Sequence, residues 1–193
     1  MFGAAPEASL YSIKVLDKSG SGAISTIIKG LDKAIDYGVD VISMSLGAVL
    51  SFGGTTPDCR AVDIANTVYN KSIVIAAGNT GAVMSIASPG DARRGLTIGS
   101  VGYTQPWRYT PSIFSSKGPT LDRRIKPDFT AFGGDVYGNV MEMIVGAGTY
   151  GDEYEAESGT SMATPQIAGT IALIYQIMRK DKRLGDKNFL ENL

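Results

Sequence analysis

The run SGTSMATPQIAG, from Ser158 to Gly169, sets a serine between a Gly-Thr turn and the start of an apolar stretch with helical spacing. Unpaired backbone N–H groups and the positive end of the helix dipole face outward at such a start, and stabilise negative charge developing on a carbonyl oxygen. Ser161 therefore reads as a nucleophile. Ser158, Thr160 and Ser161 are also residue types that cap helices, and the spacing alone leaves both readings open. A second run, AAGNTG from Ala76 to Gly81, ends an apolar segment in Gly-Asn-Thr-Gly. That places Asn79 at the carboxyl end of a parallel strand, the edge at which open α/β sheets bind ligands. Its amide can donate to an oxyanion, or it can serve as a turn residue that tolerates left-handed backbone. A third run, SMSLG from Ser43 to Gly47, ends a strand in small residues whose backbone an extended peptide could pair with.

The elements that must position these runs follow from periodicity. Leu10 to Leu16 is rich in Ile and Val and closes in the turn cluster Asp17 to Gly22, which predicts a strand and a loop. Ile24, Ile27, Ile28, Leu31, Ala34 and Ile35 recur on one face of a helix that Gly38 would end. Val39 to Ser45 predicts a strand. Pro57 to Lys71 predicts a helix with Ala61, Ile64, Ala65 and Val68 on its inner side, and Cys59 on its outer turn, half-buried. Ser72 to Ala77 and Leu96 to Val101 predict two more strands. Residues 103–158 read as irregular, with prolines at 106, 111, 119 and 127, until Met162 to Met178 gives a largely buried helix. Strands alternating with helices argue for a three-layer α/β fold, helix-sheet-helix with a mainly parallel sheet, in one domain over residues 1–193.

Composition removes several classes of function. A chain of 193 residues with 44% hydrophobic side chains buries roughly 70% of its unfolded surface and is not disordered as a whole. Eighteen basic against 19 acidic residues give a net charge of -1, so no basic field points to nucleic acid or an anionic membrane. No window approaches the ~20 consecutive apolar residues of a membrane span. One Cys and no His leave neither an intramolecular disulfide nor a zinc site of the usual spacing, and remove the side chain most often used as a general base near neutral pH. Arg93 with Arg94, and Arg123 with Arg124, read as surface pairs. The acidic run Asp152, Glu153, Glu155 and Glu157 reads as a solvated loop, with a preference for basic substrates as the other reading.

With those residues in view, the chain resembles the subtilisin-like serine proteases, the subtilase family. GTSMATP matches the family's nucleophile segment, AAGNTG resembles its oxyanion segment and SMSLG its substrate-strand segment. APEASLYSIKVLD, FSSKGP and KPDFTA match further stretches in the family's order. The resemblance implies a subtilisin-like fold, truncated at both ends, in which Ser161 attacks a scissile carbonyl while its backbone N–H and the Asn79 amide hold the oxyanion. Ser45, Leu46 and Gly47 would line one side of a substrate cleft, with Ala76, Ala77 and Gly78 on the other and Thr160 beside the nucleophile. An extended polypeptide is the implied substrate.

The family's triad runs Asp, His, Ser, and its first two members lie upstream of the segment matching Gly3 to Pro6. Asp17, Asp32 and Asp40 match no triad position. The expectation is a serine endopeptidase core that hydrolyses very weakly or not at all by itself, with Asp and His supplied by a propeptide or N-terminal fragment. The alternative is a peptide-binding pseudoprotease or regulatory partner. Missing first strands would leave a sheet edge open to self-association. No cofactor is required; structural calcium occurs among relatives, but no ligand set is assignable here. Location is open: secreted if the chain is part of a longer precursor, cytoplasmic if Met1 is the true start.

Overall fold

The computed structural model describes residues 3–49, 51–105, 108–135, 143–148 and 153–180. Among the described residues three helices and seven strands are formed: α1 (Ile24–Asp36), β1 (Val41–Met44), α2 (Pro57–Thr67), β2 (Ser72–Ala76), β3 (Leu96–Gln105), β4 (Arg108–Pro111), β5 (Phe129–Phe132), β6 (Ile144–Ala147), β7 (Tyr154–Glu157) and α3 (Thr160–Lys180). β1, β2 and β3 run parallel in that order, β5 joins β3 in parallel, and β4 folds back on β3 antiparallel. β6 and β7 make a separate antiparallel hairpin.

Alternation along β2 builds the three layers. Ile73 and Ile75 point to one face, where they pack with Leu31 of α1, Met44 of β1, and Cys59, Val62 and Ala65 of α2. Val74 points to the other, where it packs with Ile98 and with Ala163 and Ala168 of α3. Both faces of the sheet are covered, as its continuous apolar strands require. The end of α1 follows from Gly38: at φ 69° it lets its own N–H reach the Ile35 carbonyl and the Val39 N–H reach that of Ala34. Those two bonds close the helix in a Schellman arrangement.

The structure departs from the sequence reading at five places. Residues 10–16 form no strand: Ile13 and Val15 pack toward α1 at Gly30 and Tyr11 stacks on Tyr37, but among the described residues no strand pairs with them. The pattern of a strand is there without its hydrogen-bond partner, and Leu10 is 92% exposed. The inner face of α2 is Asp58, Cys59, Val62 and Ala65, while Ile64 and Val68 are 51% and 68% exposed. Cys59 is thus inside, donating its thiol to Asp91 Oδ1 at 3.0 Å, and polar partners from the loop after β2 turn this face inward. Residues 103–158 are not uniformly irregular, since β4 to β7 lie within them; four-residue strands bounded by Pro and Gly carry little periodicity. The outer side of α3 is open at Leu173, Ile174 and Ile177. Finally, Arg124 is no simple surface residue: it donates to the Asp91 and Ala92 carbonyls and pairs with Asp122, whose carboxyl the guanidinium holds down at about 2.

Candidate active site

The carboxyl ends of β1, β2 and β5 converge on the first turn of α3. β1 runs into Ser45–Gly47, β2 into Ala77–Asn79, and β5 into Gly133, whose carbonyl accepts the Gly159 N–H at 2.8 Å. Only glycine fits at 133, because a Cβ there would lie 2.3 Å from Ser100 Oγ and 2.4 Å from the Gly159 carbonyl. Sequence reasoning passed over Gly133; its signal was a Gly pair directly after an apolar strand.

The turn before α3 is held from the β2 side. Asn79 Oδ1 accepts from the Thr160 backbone N–H at 3.0 Å and from the Thr160 hydroxyl at 2.8 Å. The same hydroxyl accepts the Gly78 N–H at 3.3 Å. With its carbonyl end anchored twice, the Asn79 amide presents its NH2 end along the turn; a Cβ at Gly159 would sit 3.3 Å from Nδ2. Asn79, not a serine or threonine, therefore caps the helix. Among the described residues the Ser161 N–H has no acceptor and its hydroxyl no partner. That leaves one backbone and one side-chain donor for an oxyanion beside an uncommitted hydroxyl. Gly78 takes φ 104°, and a Cβ on it would come within 2.9 Å of Ser116 Oγ, so the strand-to-Asn79 turn requires glycine.

The remaining candidates divide. Ser45 and Gly47 are exposed, Leu46 is half-buried, and none of the three makes a backbone hydrogen bond outside the strand ladders among the described residues. Their peptide groups are open to an added strand. Ala76 and Ala77 are 4% and 0% exposed, and the Ala77 N–H and C=O are spent on Ile98 and Ala87. Thr160 is 0% exposed with its hydroxyl committed to Asn79 and Gly78. The expectation that these three touch a substrate gives way to a supporting position beneath the cleft, leaving Gly78 half-exposed at its surface.

Beyond α3's first turn lies a cavity of about 370 Å³ lined by Ile144, Gly146, Ala147, Glu155, Glu157 and Met162. Glu155 and Glu157 line this open cavity from β7 and stay exposed, as does Glu153, so the described part of the acidic run is solvated but lies largely on a strand rather than in a loop, while Asp152 lies outside the described residues. Among the described residues no group of three His, Cys, Asp or Glu side chains is placed to hold a metal ion, and no helix is long and apolar enough to cross a membrane.

Comparison with known proteins identifies the family and agrees with the fold. The pattern of the subtilase family matches residues 1–186. Pyrolysin of Pyrococcus furiosus is 37% identical over 197 residues, covering 89% of this chain and 14% of its own length. Serine protease AprX of Bacillus subtilis is 37% identical over 195 residues, 90% of this chain and 43% of its own length. Among solved structures, a cold-adapted subtilisin-like serine proteinase superposes with a TM-score of 0.65 at 34% identity, over 84% of this chain and 52% of that one. The chain thus spans less than half the length of these two curated relatives.

Proposed function

The chain belongs to the subtilase family, and from that premise we propose that it is the nucleophile-bearing and oxyanion-bearing part of a serine endopeptidase. Ser161 Oγ bonds to the scissile carbonyl carbon, and the carbonyl oxygen takes up the negative charge. Asn79 Nδ2 and the Ser161 N–H receive that oxyanion at the positive end of α3. The hydroxyl proton passes to a base brought by another polypeptide segment and from it to the leaving nitrogen, so collapse of the intermediate breaks the peptide bond, releases the amine and leaves an acyl-enzyme for water to hydrolyse. The observation that carries this reading is the double anchoring of Asn79 Oδ1 on Thr160. It costs no reorganisation when charge develops, which is how such donors act most strongly.

The proton of Ser161 needs an acceptor, and the chain contains no His. A serine hydroxyl without a base is a weak nucleophile near neutral pH. The isolated chain accordingly hydrolyses peptides very weakly. A polypeptide segment bearing Asp and His, joined upstream or supplied separately, completes the site by lying along β1. The edge of β1, which pairs with no further strand among the described residues, supports this reading, since its backbone is open to an added strand. The substrate is an extended polypeptide that pairs with Ser45–Gly47.

The test is complementation. The chain, alone and mixed with or fused to an Asp- and His-bearing subtilase segment, is assayed on a fluorogenic peptide and with a fluorophosphonate probe. Turnover and Ser161 labelling that are very slow in the chain alone and rise sharply with the segment support the proposal. Peptide binding without turnover in either form overturns it in favour of a pseudoprotease.

A further inference from the structure

Pro165 lies inside α3, four residues after Ser161. In an α-helix the carbonyl of residue 161 accepts from the N–H of residue 165, but proline has none, and its ring crowds that same carbonyl outward. Ser161 is thereby left with a carbonyl that its own helix cannot satisfy in the usual way. The hydroxyl of Ser45, 116 residues earlier and directly after β1, donates to it at 2.8 Å. Pro165 itself is exposed, so core packing gives no reason for it.

We propose that Ser45 is a positioning residue: its hydroxyl replaces the missing helical donor and fixes the backbone of Ser161. This rests on the reading of Ser161 as nucleophile and adds a role to Ser45 beyond offering its peptide groups to substrate. The turn is then pinned from both sides. Asn79, from the end of β2, holds the Thr160 N–H, and Ser45, from the end of β1, holds the Ser161 carbonyl. The two fixed points hold the peptide plane before Thr160 and the one after Ser161, and so bracket the Thr160–Ser161 peptide between them. They aim its N–H and its Cα–Cβ bond relative to the Asn79 amide. The same contact joins the nucleophile to the strip on which a substrate strand would lie, so register on that strip and the height of Ser161 are set together.

Pro165 makes the idea separable from a general loss of folding. Replacing it with Ala restores an N–H to the helix and makes Ser45 redundant at the Ser161 carbonyl. The experiment is a double-mutant cycle of Ser45→Ala and Pro165→Ala, with Ser45→Thr as the conservative variant. In the isolated chain, Ser45→Ala lowers Tm by about 2–4 °C in the parent and not in the Pro165→Ala background. In the complemented protein, it lowers kcat about fivefold with KM unchanged, Ser45→Thr recovers the loss, and Pro165→Ala abolishes it. Equal effects of Ser45→Ala in both backgrounds, or a change confined to KM, overturn the inference. Failure of complementation to yield any turnover bears on the endopeptidase proposal instead. The Tm cycle, and the slow fluorophosphonate labelling of Ser161 in the isolated chain, still decide the role of Ser45: labelling unchanged by Ser45→Ala overturns it.

Discussion

The two flanks of the candidate site are built to different degrees. On the β2 side everything is closed: Asn79 holds Thr160, Thr160 holds Gly78, the Gly78 carbonyl accepts the Ser116 N–H, and Ser116 Oγ meets Thr80. On the β1 side the backbone of Ser45–Gly47 is open and the far edge of β1 pairs with nothing among the described residues. The one tie from that side is the Ser45 hydroxyl. On the proposed reading, charge stabilisation is autonomous in this chain, while proton transfer depends on a segment from elsewhere. Oxyanion donors must be fixed before the reaction, so they are best made by short, local bonds at one sheet end. A base brought on a separate strand can join a finished half-site without rebuilding it.

The largest effect tests the closed flank. In the complemented protein, Asn79→Ala lowers kcat by about 10²–10³ with little change in KM, the size found for the corresponding donor in this family. Steady-state kinetics on a fluorogenic peptide reads this, and a loss appearing only in KM contradicts the oxyanion role. Thr160→Val keeps the buried volume and the backbone N–H but removes the hydroxyl that holds Asn79 and Gly78. The expected loss in kcat is about tenfold, one neutral hydrogen bond or slightly more. A Thr160 that contacted substrate directly would change specificity between peptides; a supporting one lowers turnover evenly.

The open flank is tested by its edge. An unpaired strand edge recruits a partner, and a lysine on it discourages pairing. Ser43 is exposed on β1. Ser43→Lys is expected to make the isolated chain more monomeric in sedimentation velocity and to weaken binding of an Asp- and His-bearing segment by several-fold. If the isolated chain is monomeric at all concentrations and the variant binds the segment unchanged, β1 is not the docking edge.

How far the site could be read in advance follows the same division. The placement of Asn79 after β2 and of Ser161 at the start of α3, and the Gly38 helix end, were legible because each is written in one short run whose chemistry is local. The polar inner face of α2 was not. Counting apolar letters put Ile64 and Val68 inward, whereas Cys59 and Asp58 are buried where Ser88 and Asp91 arrive from about thirty residues away, Asp91 accepting from the Cys59 thiol and Ser88 donating to one oxygen of Asp58. The run 10–16 has the composition of a strand, but strandhood is a property of two chain segments, and among the described residues no second one pairs with it. The tie between Ser45 and Ser161 spans 116 residues, yet its cause was visible: a proline placed where Ser161's carbonyl expects a donor.

The smallest effect lies away from both flanks and checks that the closed side continues into a dry core. Burial pushes the Cys59 thiol up to about 12, and Ser88 and Asp91 hydrogen-bond it there. A thiol in the unfolded chain ionises near ~8.5. Between about 9 and 12 the unfolded state has lost this proton and the native state keeps it, so stability falls as pH rises through that window. Cys59→Ser retains a donor to Asp91 and removes the titration, and is expected to flatten the decline of Tm with pH above about 9. Below that pH the native thiol should resist alkylation that the urea-unfolded chain undergoes at once. Rapid modification of the native chain would mean that water reaches the seam between α2 and the loop after β2, and that the β2 flank owes its rigidity to the turn alone.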